Sequence, residues 1–414
     1  MRIIDVCAFY TPSGGGVRTY VEAKLSSARQ FGHEMIILAP GPRSEVVKRG
    51  PDACIITIPS PTLPLDRRYH YFDDGKALHH ALDALQPDHV EVSSPWSSAT
   101  MVGRWQGAAS RSLVMHSDPL AAYAYRWLGG FVSLDRIDRL FDWFWSHLRG
   151  VGQMMDLVVC ANRQLTERLR VQGMANAQTV PMGIEPGIFS PRMRSEELRR
   201  SALSSLGLGP DATLLVGIGR LSAEKRWDMV IRAVAEAARG HELGLLIVGD
   251  GPRRQWIEVL AQRCPSVGIL PPIKDRHELG SLLASADALV HGCEAETYCM
   301  VAAEARASGI PLIVPDRGAA SDHLVPGSGL IYCAGKARSL EGAINAFIAR
   351  GPRLQREIAS LDCNARTIDQ HFADLFVRYA GLAPAPAFEP AVVALQPRHS
   401  AGLKGAPALA PARR

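Results

Sequence analysis

The chain has 414 residues, 46 Lys plus Arg against 41 Asp plus Glu, and 47% hydrophobic side chains. That length exceeds what one hydrophobic core supports, so a folded chain of at least two domains is expected. A surplus of +5 over so large a surface excludes a dedicated nucleic-acid binder, and eight scattered Cys with no C-x-x-C pair exclude a disulfide scaffold.

Reduced thiols predict a cytoplasmic protein. The first apolar run, Ile3 to Tyr10, is interrupted by Asp5, and the other runs are strand-length, so neither a secretory leader nor a membrane span is expected. In chain order, these runs predict strands, for example near 2–8, 35–39, 53–58, 89–92 and 112–115. After residue 210 they recur near 213–218, 244–248, 288–290 and 311–314. Helical periodicity fills the gaps, as at 17–31, 225–239, 252–263 and 300–308. Apolar strands alternating with helices predict an α/β fold of parallel sheets covered on both faces, a doubly wound Rossmann-like arrangement.

The rhythm runs twice. It predicts one domain over 1–185, a linker over 186–211 that turns charged and helical before Gly207-Leu208-Gly209-Pro210-Asp211, and a second domain over 212–365. A last helix over 366–382 precedes residues 383–414, where six Pro and ten Ala predict a disordered tail. Ligands of such sheets bind beyond the carboxyl ends of the strands, so the cleft between the domains is the expected site.

The chemistry-bearing motifs fall at strand ends. Glu296 and Glu304 bracket the start of the 300–308 helix, whose free amides at Met300 and Val301 suit an anion. A ligand with a phosphate there could offer hydroxyl groups to both carboxylates; alone, the pair also reads as a loop acid and a helix-surface acid. In Gly217-Ile218-Gly219-Arg220-Leu221-Ser222-Ala223-Glu224-Lys225, Arg220 supplies a planar fork and Lys225 a mobile point charge. That combination suits a diphosphate, although a solvated helix start shows the same pattern. Gly14-Gly15-Gly16, after the first strand, lets amides approach a ligand, but its spacing is neither a dinucleotide fingerprint nor a P-loop. Gly249-Asp250-Gly251-Pro252 is a similar turn. His116, in Met115-His116-Ser117-Asp118-Pro119, ends a strand facing the cleft, where it reads as a structural histidine or as a hydrogen-bonding partner of a substrate. With no H-E-x-x-H, G-x-S-x-G or D-x-D motif, no metal dependence is indicated.

In this order, over roughly residues 1–382, these motifs resemble the retaining nucleotide-sugar glycosyltransferases of GT-B fold, the group 1 or family 4 glycosyltransferases. The resemblance also takes in Gly32-His33-Glu34 and the run Ala305-Arg306-Ala307-Ser308-Gly309. It implies that Arg220 and Lys225 neutralise the diphosphate of a UDP- or GDP-linked sugar, helped by the amides of Met300 and Val301. Glu304 would accept from the ribose hydroxyls and Glu296 from the transferred sugar. His116 would touch that sugar, and the Gly15-Gly16 loop and the Gly251 turn would face the donor. The implied reaction is hexosyl transfer to a hydroxyl acceptor with retention, the leaving phosphate deprotonating the acceptor. It would need no metal and no cofactor beyond the donor, because fixed cations and a helix N-terminus act where negative charge grows. The 366–382 helix resembles the crossover helix that returns to the first domain.

Some positions depart from the family pattern. Arg226-Trp227 follow Lys225 where Gly is usual, His291-Gly292 replace Pro-Ser, and Tyr298-Cys299 replace Phe-Gly. Gly318-Ala319 stand for a Gly-Gly pair. Five of the seven Trp lie between Trp96 and Trp145. Packing of the 141–149 stretch into the first-domain core is the preferred reading there. A lipid-linked acceptor docked at a peripheral membrane face is the alternative. Epimerisation or phosphorolysis on a similar fold, and a catalytically idle nucleotide-sugar binder, complete the readings weighed; nucleic acid is excluded as a partner.

Overall fold

The computed structural model describes residues 1–12, 16–64, 67, 69–128 and 132–382. The expected glycine loop at Gly15 and the tail 383–414 lie outside the described residues. Two sheets carry the chain. The first is built from β1 (Arg2–Val6), β2 (Glu34–Gly41), β3 (Glu45–Gly50), β4 (Ala53–Pro59), β5 (His89–Val92), β6 (Ser110–Met115), β7 (Leu157–Cys160) and β8 (Ala177–Thr179). Its strand order is β3-β4-β2-β1-β5-β6-β7-β8. The second comprises β9 (Thr213–Ile218), β10 (Leu243–Val248), β11 (Val267–Leu270), β12 (Ala288–Val290), β13 (Leu312–Pro315) and β14 (Leu330–Tyr332). Its order is β11-β10-β9-β12-β13-β14. Neighbouring strands are parallel except at one edge, where β3 pairs antiparallel with β4. This departs from the wholly parallel expectation for a physical reason. The strand Glu-Val-Val-Lys-Arg-Gly is largely exposed, so it carries no buried-strand signal, and its charges guard an open edge.

Each sheet has a switch point, between β1 and β5 and between β9 and β12, where neighbours are reached by connections running in opposite directions along the sheet. Loops leaving the carboxyl ends of such a pair of strands splay apart and leave a crevice. The register Ala288 opposite Leu215 and Leu289 opposite Val216 sets the loop after β9 beside the loop after β12. Apolar side chains fill both faces of each sheet. Leu214, Val216 and Leu289 pack on one side of the second, while Leu215, Ala288 and Val290 pack on the other. The charged helix Glu196–Ser205 buries Ala202 and Leu203 in the former layer.

The last helix, Ile368–Leu382, buries Phe372, Leu375, Phe376 and Tyr379 against Tyr20, Val21 and Leu25 of the first helix, Gly16–Gln30. Where the chain leaves the first sheet and where it returns, the backbones touch. The Ile184 amide donates to the Arg366 carbonyl at 2.9 Å, and the Ile368 amide to the Ile184 carbonyl at 2.8 Å. A Cβ on Gly183 would sit 2.1 Å from the Thr367 carbonyl, so only glycine allows this crossing.

Beneath the last helix lies a charged cluster with no solvent exposure. The Lys24 ammonium donates to Asp5 Oδ2 at 2.8 Å and to Glu91 Oε1 at 2.5 Å. Ser93 Oγ donates to Asp5 at 2.6 Å, and the Tyr379 hydroxyl donates to Glu91 Oε2 at 2.8 Å. Burial would lower the Lys24 pKa, but the two carboxylates outweigh it and hold it above the ordinary value. Removing one partner of a buried network strands the others. Lys24→Met should therefore destabilise the protein by about 3–5 kcal/mol in urea denaturation, more than an isosteric apolar swap elsewhere in the core.

Buried histidines add a pH dependence. His89 sits between Ser110 Oγ and Ser112 Oγ, each 2.8 Å away, and stacks on Tyr379; burial lowers its pKa to about 3. His371 is likewise lowered to about 3, again chiefly by burial. Both are neutral in the fold, so the unfolded chain takes up protons first as pH falls below 6.5. Their contribution to stability is present above pH 6.5 and is lost as the pH drops toward about 3. Denaturant midpoints measured down this window should fall, and His371→Gln should make the fall shallower; an unchanged slope would contradict the assignment.

Candidate donor-binding site

The loop after β9 runs through a one-turn 3-10 segment, Ala223–Lys225, then breaks at Arg226 before the helix Trp227–Ala237 begins. The uninterrupted helix expected from 225 is thus corrected. Arg226 has φ 51°, a left-handed conformation that ends one turn and starts the next. This break aims consecutive cations at two different acids. Lys225 pairs with Glu296, and Arg226 forks onto Glu294. Cys299, in the loop after β12, also lies in the left-handed region, at φ 64°, immediately before the helix Met300–Ala307. Two departures from the family pattern therefore stand where a backbone favouring glycine is required, and the loop shapes survive them.

Lys225 and Glu296 are each about four-fifths buried. Burial alone would raise the Glu296 pKa, but the Lys225 charge and a hydrogen bond from His291 prevail, and the carboxyl is held well below its usual range. Lys225 is correspondingly raised by Glu296 against the effect of burial. Glu304 behaves differently. Burial raises its pKa, and Arg276, which donates to Oε1 at 2.5 Å, offsets this only in part. Arg276 was not legible as a site residue; it opens the helix Arg276–Ser285 and reaches Glu304 from across the layer.

The other expected residues are placed as follows. Arg220 is exposed at the end of β9, and its guanidinium makes no hydrogen bond or ion pair among the described residues. Met300 and Val301 are the first two residues of their helix, so their amides lack intrahelical acceptors. Gly16 opens the first helix. The Gly251 amide is already donated to Asp250 Oδ1 at 2.8 Å, and a Cβ there would sit 2.6 Å from the Leu221 carbonyl, so close packing of two turns explains this glycine. His116 ends β6 with its ring edge-on to Tyr20 at 4.7 Å, and burial lowers its pKa to about 4, leaving it neutral.

The two sheets meet through loop contacts that the sequence did not disclose. Thr297 Oγ1 donates to the His116 carbonyl at 2.9 Å, Asn162 Nδ2 donates to the Thr297 carbonyl at 2.6 Å, and the Gly318 amide donates to Gln164 Oε1 at 3.2 Å. Between them is a cavity of about 60 Å³ lined by Asp118, Asn162 and Arg168 on one side and Glu294 to Thr297 on the other. Small-ligand sites run to several hundred Å³, so the seam is closed in this conformation. Next to it, and sharing Tyr125, Leu134, Gln164 and Arg168, opens a groove of about 640 Å³ with Asp138 and Arg139 on its wall. Arg168 is pinned there by Asp118 at 2.7 Å and lies over the Tyr125 ring at 4.9 Å.

The aromatic stretch divides between the two readings. Phe144, Trp145 and Leu148 enter the core, as preferred, but Trp143 and Leu140 stay about two-thirds exposed, with Tyr123 and Trp127 similarly exposed nearby in sequence. No described helix is long and apolar enough to cross a membrane.

Comparison with known proteins agrees with this geometry. Residues 14–187 match the family described as Glycosyltransferase Family 4, and residues 200–360 match Glycosyl transferases group 1. The chain is 30% identical over 361 residues to a GDP-mannose-dependent alpha-(1-6)-phosphatidylinositol dimannoside mannosyltransferase of Mycobacterium tuberculosis, covering 87% of this chain and 91% of that protein. It is 29% identical to a GDP-mannose-dependent alpha-mannosyltransferase of the same organism, covering 79% and 82%. Among solved structures, sucrose-phosphate synthase from Thermosynechococcus elongatus aligns with a TM-score of 0.71 at 19% identity, over 92% of this chain and 98% of that one. Anabaena Alr3699/HepE in complex with UDP aligns at 0.66 and 14%, over 92% and 100%. The last two likenesses speak to the fold alone, and the relative that spans nearly its whole length speaks to descent: the chain belongs to the group 1, family 4 glycosyltransferases and has their GT-B fold.

Proposed function

We propose that the enzyme transfers a mannosyl group from GDP-mannose to a hydroxyl of a lipid-linked acceptor, with retention of configuration and without a metal. The observation that carries this reading is the buried Lys225–Glu296 pair at the switch point of the second sheet, with exposed Arg220 beside it in the same loop. The printed activities of the mycobacterial relatives support the donor and the acceptor class.

Donor entry requires the seam to open, because the cavity of about 60 Å³ holds no nucleotide sugar. The diphosphate then competes with Glu296 for the Lys225 ammonium. As Lys225 turns to the diphosphate, Glu296 is left ionised with free lone pairs, which accept hydrogen bonds from the sugar. The amides of Met300 and Val301 and the Arg220 fork meet the remaining phosphate oxygens. Glu304, steadied by Arg276, accepts from the ribose. When the glycosidic bond to phosphate breaks, charge accumulates on a group already facing two cations and a helix N-terminus, so little reorganisation is needed. The leaving phosphate takes the acceptor proton on the same face. Neutral His116 acts there as a hydrogen-bonding group and not as a charge.

On the acceptor side, the groove of about 640 Å³ offers what a polyhydroxylated head group binds: an aromatic ring, carboxylates and a fixed guanidinium. The exposed Trp127, Leu140 and Trp143 suit the lipid portion at a membrane surface.

Two measurements test these assignments. GDP should raise the melting temperature more than UDP or ADP; a hundredfold excess over its dissociation constant adds about 2.7 kcal/mol. Lys225→Ala should lose transfer by at least about a hundredfold with a native circular-dichroism spectrum, while the wild type keeps its rate in excess EDTA. An active Lys225→Ala would overturn the diphosphate role, and loss in EDTA would overturn metal-free transfer. Separately, Trp143→Ser should raise KM for a vesicle-borne lipid acceptor and weaken vesicle cosedimentation while leaving the GDP affinity unchanged. Equal cosedimentation of both forms would remove the membrane role.

A further inference from the structure

Three donor atoms of different chemistry meet at the acid that Lys225 neutralises. His291 Nε2 lies 3.2 Å from Glu296 Oε1 and 3.6 Å from Cys299 Sγ, and all three atoms fall within 4.8 Å of one another. Each is held from a separate direction. The His291 amide donates to the Ile313 carbonyl at 3.0 Å, and its carbonyl accepts the Tyr332 hydroxyl at 2.7 Å. Cys299 is fixed by its left-handed turn. His291 and Cys299 are buried, whereas Glu296 borders the cavity between the sheets, which gives a small ion its approach.

Imidazole, carboxylate and thiolate are the ligands of zinc. Tetrahedral bonds of about 2.05 Å to nitrogen, about 2.1 Å to oxygen and about 2.3 Å to sulfur place the N and O ligands about 3.4 Å apart and the N and S ligands about 3.6 Å apart. The two spacings observed agree with these edges to within about 0.2 Å, and the third, from Glu296 to Cys299, lies within 4.8 Å, against an edge of about 3.6 Å for such bonds. We propose that His291, Glu296 and Cys299 bind a borderline-soft divalent cation of the zinc class, and that this ion inhibits glycosyl transfer.

Coordination takes the Cys299 proton to solvent, moves the His291 proton from Nε2 to Nδ1 so that the Nε2 lone pair faces the ion, and leaves a fourth position for water. The ion replaces the Lys225 ammonium as the partner of Glu296, so it claims the carboxylate that the donor sugar needs and competes with the donor. His291 and Cys299 are both departures from the family pattern, so the site belongs to this chain and not to the fold. Its effect on turnover rests on the proposed function; its existence does not.

The test is titration of the full-length chain with cobalt(II), followed by zinc. The wild type should develop a thiolate-to-cobalt charge-transfer band with the intense visible bands of a four-coordinate site, and one equivalent of zinc should abolish both. Cys299→Gly, which suits the left-handed turn, should lose the charge-transfer band and bind zinc at least about tenfold more weakly; Cys333→Ser, at an exposed thiol, should lose neither. Zinc should slow transfer by the wild type competitively with donor, and EDTA should restore it. No charge-transfer band in the wild type, or one that survives Cys299→Gly or vanishes in Cys333→Ser, would overturn the site, and the wild-type and Cys333→Ser spectra decide this even if Cys299→Gly fails to fold. A cobalt spectrum as expected in a chain without transferase activity would leave the site standing and strike the proposed function instead.

Discussion

The site depends on β9 and β12 lying side by side. Strands 75 positions apart at their starts, Thr213 and Ala288, share a ladder, and that adjacency brings the loop carrying Lys225 beside the loop carrying Glu296. Neither charge would be stable so far from water without the other. Moving a lone ammonium or carboxylate into such a place costs several kcal/mol, and their mutual attraction offsets most of it. The pair therefore serves as its own placeholder. Each side chain keeps its ionised form and its position in the other's company; on the proposed function, an anion draws the ammonium away and leaves the carboxylate to the sugar. The left-handed turns at Arg226 and Cys299 are the local condition for this. A right-handed residue at 226 would continue the helix and turn Lys225 away from the neighbouring loop.

The same logic governs the closed seam. Thr297, one residue beyond Glu296, hydrogen-bonds the backbone of His116, so the acid and the first-domain histidine are linked through one peptide unit. Opening the cleft must break that bond together with those of Asn162 and Gln164. These three hydrogen bonds are each worth about 1 kcal/mol net, so these side-chain contacts across the seam are a modest barrier to its opening. The chain crossing at Gly183 and Ile184 ties the last helix back under the first sheet, where Tyr20 connects them. Its hydroxyl is 2.9 Å from His371 Nε2 and donates to it, because the other ring nitrogen faces the Pro181 carbonyl at 2.9 Å. The same Tyr20 ring supports His116. The seating of the last helix and the position of His116 are thus coupled through a single side chain.

Much of this was legible in the sequence, and the part that was not has a common cause. Continuous apolar runs such as 213–218 and 288–290 gave strand bounds that match β9 and β12 residue for residue, because a strand buried on both faces has no other composition. The exposed edge strand β3 and the break at Arg226 were missed, since an antiparallel edge and a left-handed residue leave no periodic trace. Candidate site residues could be named from the sequence where the chemistry is local, as with Arg220, Lys225 and the helix amides. They were hidden where it depends on a partner from another strand. Arg276 for Glu304, Asn162 for Thr297 and His291 for Glu296 are ordinary residues until topology brings them together.

Net charge illustrates the same separation of composition from placement. Residues 1–185 hold 19 basic and 18 acidic side chains, so the first domain is nearly neutral. Within the site the cations are largely spoken for: Lys225 by Glu296, Arg226 by Glu294, Arg276 by Glu304 and Arg168 by Asp118. Arg220 makes no such pair among the described residues. If the proposed function holds, an incoming nucleoside diphosphate meets an exposed guanidinium first and a buried, neutralised ammonium second. On the proposed reading this orders the events. The exposed fork captures the diphosphate at little cost in desolvation, and only the captured anion, held close and partly shielded from water, is strong enough to take Lys225 from Glu296. A free carboxylate for the sugar then appears only when a diphosphate is already in place. That sequence protects the site from binding sugar alone, and it follows from which one of the two cations the fold chose to bury.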